Sequence, residues 1–290
     1  MAGAVVAPGF GPIERHPRNE RFVWRDHRGP FRLVTPAQAR AYDEQGFFVL
    51  EDALDAATLA GVEAEIDPWE EKVEGLLQRL PGKAAFIARA GEITFTIHLV
   101  LRSRVLRAFC ASPPFTDLVH DLVGPDVRLY WDQAVYKKPD AEAPFPWHQD
   151  NGYTYVEPQA YLTCWIALTD ATRENGCPWI APGVHRHGTL RHRPSALGFV
   201  CAETTPPGAV AVPTRAGSIV VFSSLTPHAT GPNRTSGVRK AYIVQFAPAG
   251  ARTFTQTADG AWRDAPADAP DRQFPVLVGG APVSPDGTRA

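Results

Sequence analysis

The rhythm of apolar and polar positions changes near residue 126. Before it, apolar residues recur at helical spacing in DAATLAGVEAEIDPW, WEEKVEGLLQRL, RSRVLRAFC and PPFTDLVHDLVG, which predicts a largely helical first half. TPAQARAYDEQG predicts a helix ahead of these, with Thr35 as N-cap, Pro36 at the first helical position and Gly46 as the stop. FFVL (47–50) then reads as a short buried strand. Beyond residue 126, VRLYWDQAVYKK, QAYLTCWIALTD, CPWIAP, GAVAVPTRAGSIVVF and RKAYIVQFAP are short and β-rich. Gly and Pro punctuate them at intervals that suit an antiparallel barrel or sandwich. No linker separates the halves, so the expected architecture is a helical layer on one β-barrel rather than two domains. Residues 1–35, rich in Pro, Gly and Arg, are expected to form an N-terminal arm, with the main domain over 36–250. The Pro-, Gly- and Asp-rich stretch 251–290 is expected as a tail packed on, or extending from, the same domain.

Composition narrows the class. With 290 residues, 44% hydrophobic and 21% charged, the chain can bury a full core and needs no disulfide or metal staple to fold. The net charge of -2 gives no footprint for nucleic acid or a membrane surface. Cys110, Cys164, Cys177 and Cys201 are far apart with no C-x-x-C pair, so buried reduced thiols are expected rather than a zinc or redox motif. The N-terminus lacks the charge-then-apolar pattern of a signal peptide, and no apolar run reaches the roughly 18 residues of a membrane span. A cytoplasmic protein acting on a small molecule is expected. Oligomeric state has no signal in the sequence.

The chemistry begins at PWHQDNGY. In extended chain, residues i and i+2 share a face, so His148 and Asp150 can point into a barrel while Gln149 points away. An imidazole and a carboxylate suit a borderline divalent metal. H-x-D alone is a weak signal, since a surface hydrogen-bonded pair has the same pattern, and a third ligand is needed. Among the remaining histidines, His16 and His27 lie in the arm and His98 and His120 in the helical half. His185, His187 and His192 sit in a basic loop read as solvated or substrate-facing. His228 directly follows the apolar strand GSIVVFSSLTP, where a barrel can return a ligand to an earlier strand. Two histidines and one carboxylate make the facial triad of non-haem Fe(II) oxygenases. Arg239 lies 239 − 228 = 11 residues on, a spacing that suits a turn and a strand running back beside the first. An arginine aimed into a barrel is costly unless an anion meets it, and its planar fork matches a carboxylate.

WHQDNGY, WIALTDATRENGCPWIAPGVHRHG and HATGPNRTSGVRKAY, in that order, resemble the phytanoyl-CoA dioxygenase family of Fe(II)- and 2-oxoglutarate-dependent oxygenases. QGFFVLED resembles that family's opening strand, and the resemblance spans roughly residues 36–250. It implies a mainly β fold: a double-stranded β-helix (jelly roll, cupin-like) barrel with α-helices packed on one sheet. It also implies that His148, Asp150 and His228 hold Fe(II) and that Arg239 binds the distal carboxylate of 2-oxoglutarate, with O2 as oxidant. By the same resemblance Thr230 assists that carboxylate, Trp165 lines the co-substrate pocket and Gln133 touches the co-substrate. Lys137 matches a recurrent lysine read as structural or at the cleft rim. Some relatives carry a basic residue in the helical half that reaches the co-substrate; here GEITFTIHLVL offers Thr94, Thr96 and His98.

Related halogenases have a small residue where Asp150 stands, so the carboxylate favours hydroxylation, or another oxidation, over halogenation. Trp147, Tyr153 and Tyr155 flank the motif as candidates to line an apolar cleft, and Arg186, Arg191 and Arg193 as candidates to meet a substrate anion. Two other readings stay open. One is a cupin-like metalloenzyme that does not use 2-oxoglutarate, and the other a non-catalytic ligand-binding protein on the same scaffold.

Overall fold

The computed structural model describes residues 5–284. Helix α1, Pro36–Gln45, starts at Thr35, whose hydroxyl accepts from the Gln38 backbone while the Gln38 side chain returns to the Thr35 N–H. It stops at Gly46, left-handed at φ 89°, which a side chain would adopt only under strain. Helix α2, Ala56–Leu77, is capped by Asp55 and continues through Pro68. The two apolar segments read before and after that proline are therefore one helix. Its stripe of Leu59, Val62, Ile66 and Leu77 is buried, and tertiary packing outweighs the lost backbone bond. Helices α3, Arg104–Cys110, and α4, Phe115–Leu122, complete the layer.

Ten strands build the barrel. They are β1 Phe47–Leu50, β2 Ile93–Ile97, β3 Val127–Lys137, β4 Phe145–His148, β5 Leu162–Ala167, β6 Pro178–Ile180, β7 Val210–Ala211, β8 Ile219–Ser223, β9 His228–Thr230 and β10 Arg239–Pro248. The large sheet runs β1-β8-β5-β10-β3-β2 and the small sheet β7-β6-β9-β4, with antiparallel neighbours throughout. This is a jelly roll, with helices covering the large sheet.

Strand period divides that sheet. Cys164, Ile166, Val221, Tyr242, Val244 and Phe246 face the helices, where they meet Ile66, Leu106, Phe115 and Leu118. The alternate positions Val135, Trp165, Val220, Phe222, Ala241 and Ile243 face the barrel interior. Both faces are covered, so these strands read as continuous apolar runs.

The expectation that Arg239 follows His228 on a neighbouring strand is corrected. β9 belongs to the small sheet and β10 to the large one, so the chain crosses between facing sheets. Asn233 shapes the crossing: its backbone N–H donates to the Ala141 carbonyl, and its side chain donates to the carbonyls of Lys137 and Gly237. Residues in the first 35 pack on the domain: buried Asn19 bonds the carbonyls of His187 and Thr189, and Trp24 donates to Asp43. Near the other end, the hairpin Arg252–Gln256 and Trp262–Pro266 adds to Tyr155–Glu157, and Pro275–Val278 pairs with the start of β3. Among the described residues no helix is long and apolar enough to cross a membrane.

Candidate metal centre

His148 ends β4 and His228 opens β9, and the two are Cα partners across the small sheet. The chain stays extended at Gln149 (φ -107°, ψ 143°) before Asp150 begins a short 3-10 turn, so alternation carries Asp150 to the face of His148. The Gln149 side chain points the other way. It donates to the carbonyls of Leu225 and Gly188 and accepts from the Leu190 N–H, fastening the 185–192 loop behind the site.

Ligand atoms of His148, Asp150 and His228 all lie within 4.8 Å of one another. Asp150 Oδ1 is 3.9 Å from His148 Nε2 and 3.7 Å from His228 Nε2. Each Nδ1 lies against a carbonyl two residues back, Pro146 at 2.8 Å and Thr226 at 3.0 Å. Only a protonated Nδ1 satisfies those contacts, which leaves both Nε2 lone pairs facing the centre. Burial, and then His228, hold the His148 imidazole well below its ordinary range, so it is neutral at physiological pH. Asp150 Oδ2 accepts from Thr163 Oγ1 at 2.6 Å, which leaves Oδ1 for a metal. Two imidazoles whose Nε2 atoms face the centre and an oriented carboxylate fit a divalent cation of the Fe(II) type.

The second element is Arg239, 0% exposed. Among the described residues its side chain makes a single, long hydrogen bond, 3.5 Å to the Val135 carbonyl, while Nε and one terminal nitrogen are buried without a partner. The guanidinium carbon lies 5.4 Å from the Trp165 ring centre. Lys137 is the direct cross-strand partner of Arg239 and is 1% exposed. Its Nζ donates to the Gly231 carbonyl at 2.5 Å, and to Thr230 Oγ1 and the Ala143 carbonyl at 3.3 Å. Burial, then Arg239, push the lysine down to about 7, and burial pushes Arg239 down to about 10. Among the described residues neither cation has an ion-pair partner. Leaving such a charge unpaired inside a protein costs several kcal/mol, so the pair fits an absent carboxylate. Lys137 thus belongs to the interior and not to a cleft rim.

A cavity of about 500 Å³ opens beside the ligands. Gln133 lines it, with Oε1 accepting from Trp131 Nε1 at 3.1 Å. Tyr153 lines it too. Trp147 lies instead in a separate cleft, and Tyr155 donates to the Arg18 carbonyl and stacks on His16.

Three further expectations are corrected. Thr94 donates to Glu70 on α2, Thr96 is buried on that same side of β2, and His98 lies edge-on to Trp131 beyond the strand. Alternation along β2 sends Phe95 and Ile97, not the threonines, to the cavity. The 185–193 loop is packed rather than solvated at two of its histidines. His185 is buried edge-on to Trp24, and His192 Nε2 accepts from the Gln149 N–H. A Cβ on Gly152 would meet that His192 ring at 2.0 Å, so the residue after D-N must be glycine. Arg191 and Arg193 pair with Glu14, and Arg186 with Asp26, away from the cavity.

Sequence reasoning passed over Thr163, Gln245 and the apolar wall contributed by α2. A threonine or glutamine inside a β run signals only strand propensity until its neighbours are known.

Comparison with known proteins agrees with this geometry. The chain is 27% identical over 237 residues to a probable phytanoyl-CoA dioxygenase of Caenorhabditis elegans, covering 74% of this chain and 76% of that one. It is 26% identical over 269 residues to the peroxisomal phytanoyl-CoA dioxygenase of Homo sapiens, covering 86% and 78%. Among solved structures, the epimerase SnoN in complex with Fe3+, alpha ketoglutarate and nogalamycin RO superposes with a TM-score of 0.64 at 24% identity, covering 83% of this chain and 97% of that one. The family model for phytanoyl-CoA dioxygenase (PhyH) matches residues 42–241, well over half the chain, and the protein belongs to that family.

Proposed function

We propose that the protein is an Fe(II)- and 2-oxoglutarate-dependent dioxygenase that hydroxylates a small organic molecule, with release of succinate and CO2. Arg239 carries the reading: a fully buried guanidinium with two nitrogens that lack a partner among the described residues, in the same barrel as two imidazoles and a carboxylate. In this reading His148 Nε2, His228 Nε2 and Asp150 Oδ1 hold the metal. Fe(II) bound with 2-oxoglutarate supplies, on reaction with O2, the oxidising power that removes a substrate hydrogen.

The chain's own residues bind and orient. Arg239 meets the far carboxylate of 2-oxoglutarate through its planar fork. Lys137 donates to the Thr230 oxygen, which leaves the Thr230 O–H free to donate to that same carboxylate. Trp165 lies against the guanidinium and keeps water from it. Gln133 spends its oxygen on Trp131 and keeps its amide N–H groups for the co-substrate. Thr163 holds Asp150 in one rotamer. No protein acid or base is required.

The carboxylate at Asp150 supports hydroxylation over halogenation. Arg239 speaks against a cupin-like enzyme without 2-oxoglutarate, which would have no anion to place there. The test is an anaerobic titration of metal-free protein with Fe(II) and 2-oxoglutarate, following the weak visible charge-transfer band of the chelate. The band is expected in wild type and absent in His228→Ala. An iron-loaded, folded wild type without the band contradicts the reading. Once a substrate is found, a product heavier by one oxygen is expected; an isomerised product contradicts hydroxylation.

A further inference from the structure

The cavity beside the ligands has a one-sided chemistry. Its walls come from Val73, Leu76, Leu77 and Leu80 of α2 and the loop after it, from the hairpin around Phe86, and from Phe95 and Ile97. Apart from the metal ligands His148 and Asp150, its polar side chains are amides and hydroxyls, chiefly Gln133, Gln245, Thr154 and the tyrosines. Among the described residues Asp150 alone of the acidic and basic side chains lines it, and no lysine or arginine does. Arg89 lies at the base of the hairpin and does not line the cavity; three of its five N–H groups donate to the carbonyls of Phe86, Ala88 and Ala196. That clamp also ties the hairpin to the loop facing it.

Aromatic rings run from the metal ligands to the rim. His148 meets Tyr153 edge-on at 5.3 Å, Tyr153 meets Phe199 at 5.4 Å, and Phe86 meets Phe199 at 6.2 Å. The rim itself is apolar: Phe86 is 67% exposed, Leu76 57% and Ile97 44%. Such side chains together on a surface mark a place that something apolar covers. A volume of about 500 Å³ is in the range that encloses a drug-sized ligand.

We propose that this cavity takes an uncharged, predominantly apolar substrate, such as a ring system bearing hydroxyl, keto or ether oxygens. It disfavours a free acid or phosphate ester lodged against its walls, because among the described residues no lysine or arginine lines it to offset the charge. The identity of the cavity as the substrate site rests on the oxygenase reading; its preference for neutral ligands does not.

The test is fluorescence titration of the full-length, metal-free protein with a matched pair of probes. N-phenyl-1-naphthylamine is neutral, and 8-anilinonaphthalene-1-sulfonate has the same rings with one anionic group. Wild type is expected to bind the neutral amine at least about tenfold more tightly than the sulfonate. Ile97→Lys and Leu76→Lys, each at an exposed rim position, place an ammonium at the mouth and are expected to narrow that ratio several-fold. Equal or tighter sulfonate binding by wild type overturns the proposal. So does a ratio that neither variant moves, since the amine then sits elsewhere. Neither iron nor 2-oxoglutarate takes part, so the chelate titration above and this experiment fail independently.

Discussion

Two regions of the barrel interior contrast. On one side, Arg239 and Lys137 are buried side by side with no anion. On the other, a cavity of about 500 Å³ with largely apolar walls is lined by no lysine or arginine among the described residues. A core selected only for stability would contain neither, because unpaired buried charge costs several kcal/mol and so open an apolar cavity forfeits packing. The difference teaches that each region is shaped for a different missing partner: a carboxylate in the first, an uncharged molecule in the second.

The largest effect that can break this contrast is on co-substrate affinity. Arg239→Met is expected to weaken 2-oxoglutarate binding by about 2–5 kcal/mol, upwards of about thirtyfold. Titration of the anaerobic chelate measures it, and an unchanged affinity would show that the first region is not a carboxylate site. Lys137→Met is expected to cost less, about tenfold, since Lys137 acts largely through Thr230.

Lys137 also sharpens the contrast through pH. Its folded value, about 7, lies below the ordinary lysine value of 10.5. The unfolded chain therefore binds the extra proton between those values, and stability rises with pH across the window. The stability contribution is fully present above about 10.5 and lost as pH falls through about 7. Denaturant midpoints of wild type minus Lys137→Met should follow that sign; a flat difference curve would mean that the lysine is not held near neutral. An effect of the same order as that of Lys137→Met, but on the metal, is expected at Thr163→Val. Freeing Asp150 Oδ2 should lower Fe(II) affinity about tenfold by metal titration, with the fold intact.

Much of the site was legible along the chain, for local reasons. H-x-D in extended chain sets two side chains on one face, and an arginine aimed into a barrel needs an anion, so His148, Asp150 and Arg239 stood out as candidates that the family resemblance joined with His228. Thr35 and Gly46 marked a helix because caps act within a few residues. What escaped depends on other parts of the chain. The 11-residue step from His228 to Arg239 fits a hairpin equally well, and only the pairing of β9 with β4 sends the chain to the opposite sheet. The histidines of the 185–193 loop look solvated or substrate-facing until Trp24 packs on His185 and the Gln149 N–H meets His192. Lys137, beside Lys138, reads as structural or at the cleft rim; alternation turns Lys137 inward, while Lys138 pairs with Glu70. The substrate cavity combines α2, a hairpin and four strands, and no single segment announces it.

The central claim is that Arg239 is present for a ligand and not for the fold. The most direct test is urea unfolding of the metal-free protein, wild type against Arg239→Leu, with chelate formation followed in parallel. An apolar replacement for a buried, unpaired charge should leave the protein as stable or more stable, by about 1–4 kcal/mol, while the 2-oxoglutarate chelate is lost. A variant destabilised by several kcal/mol, or one that still forms the chelate at wild-type affinity, would contradict the account.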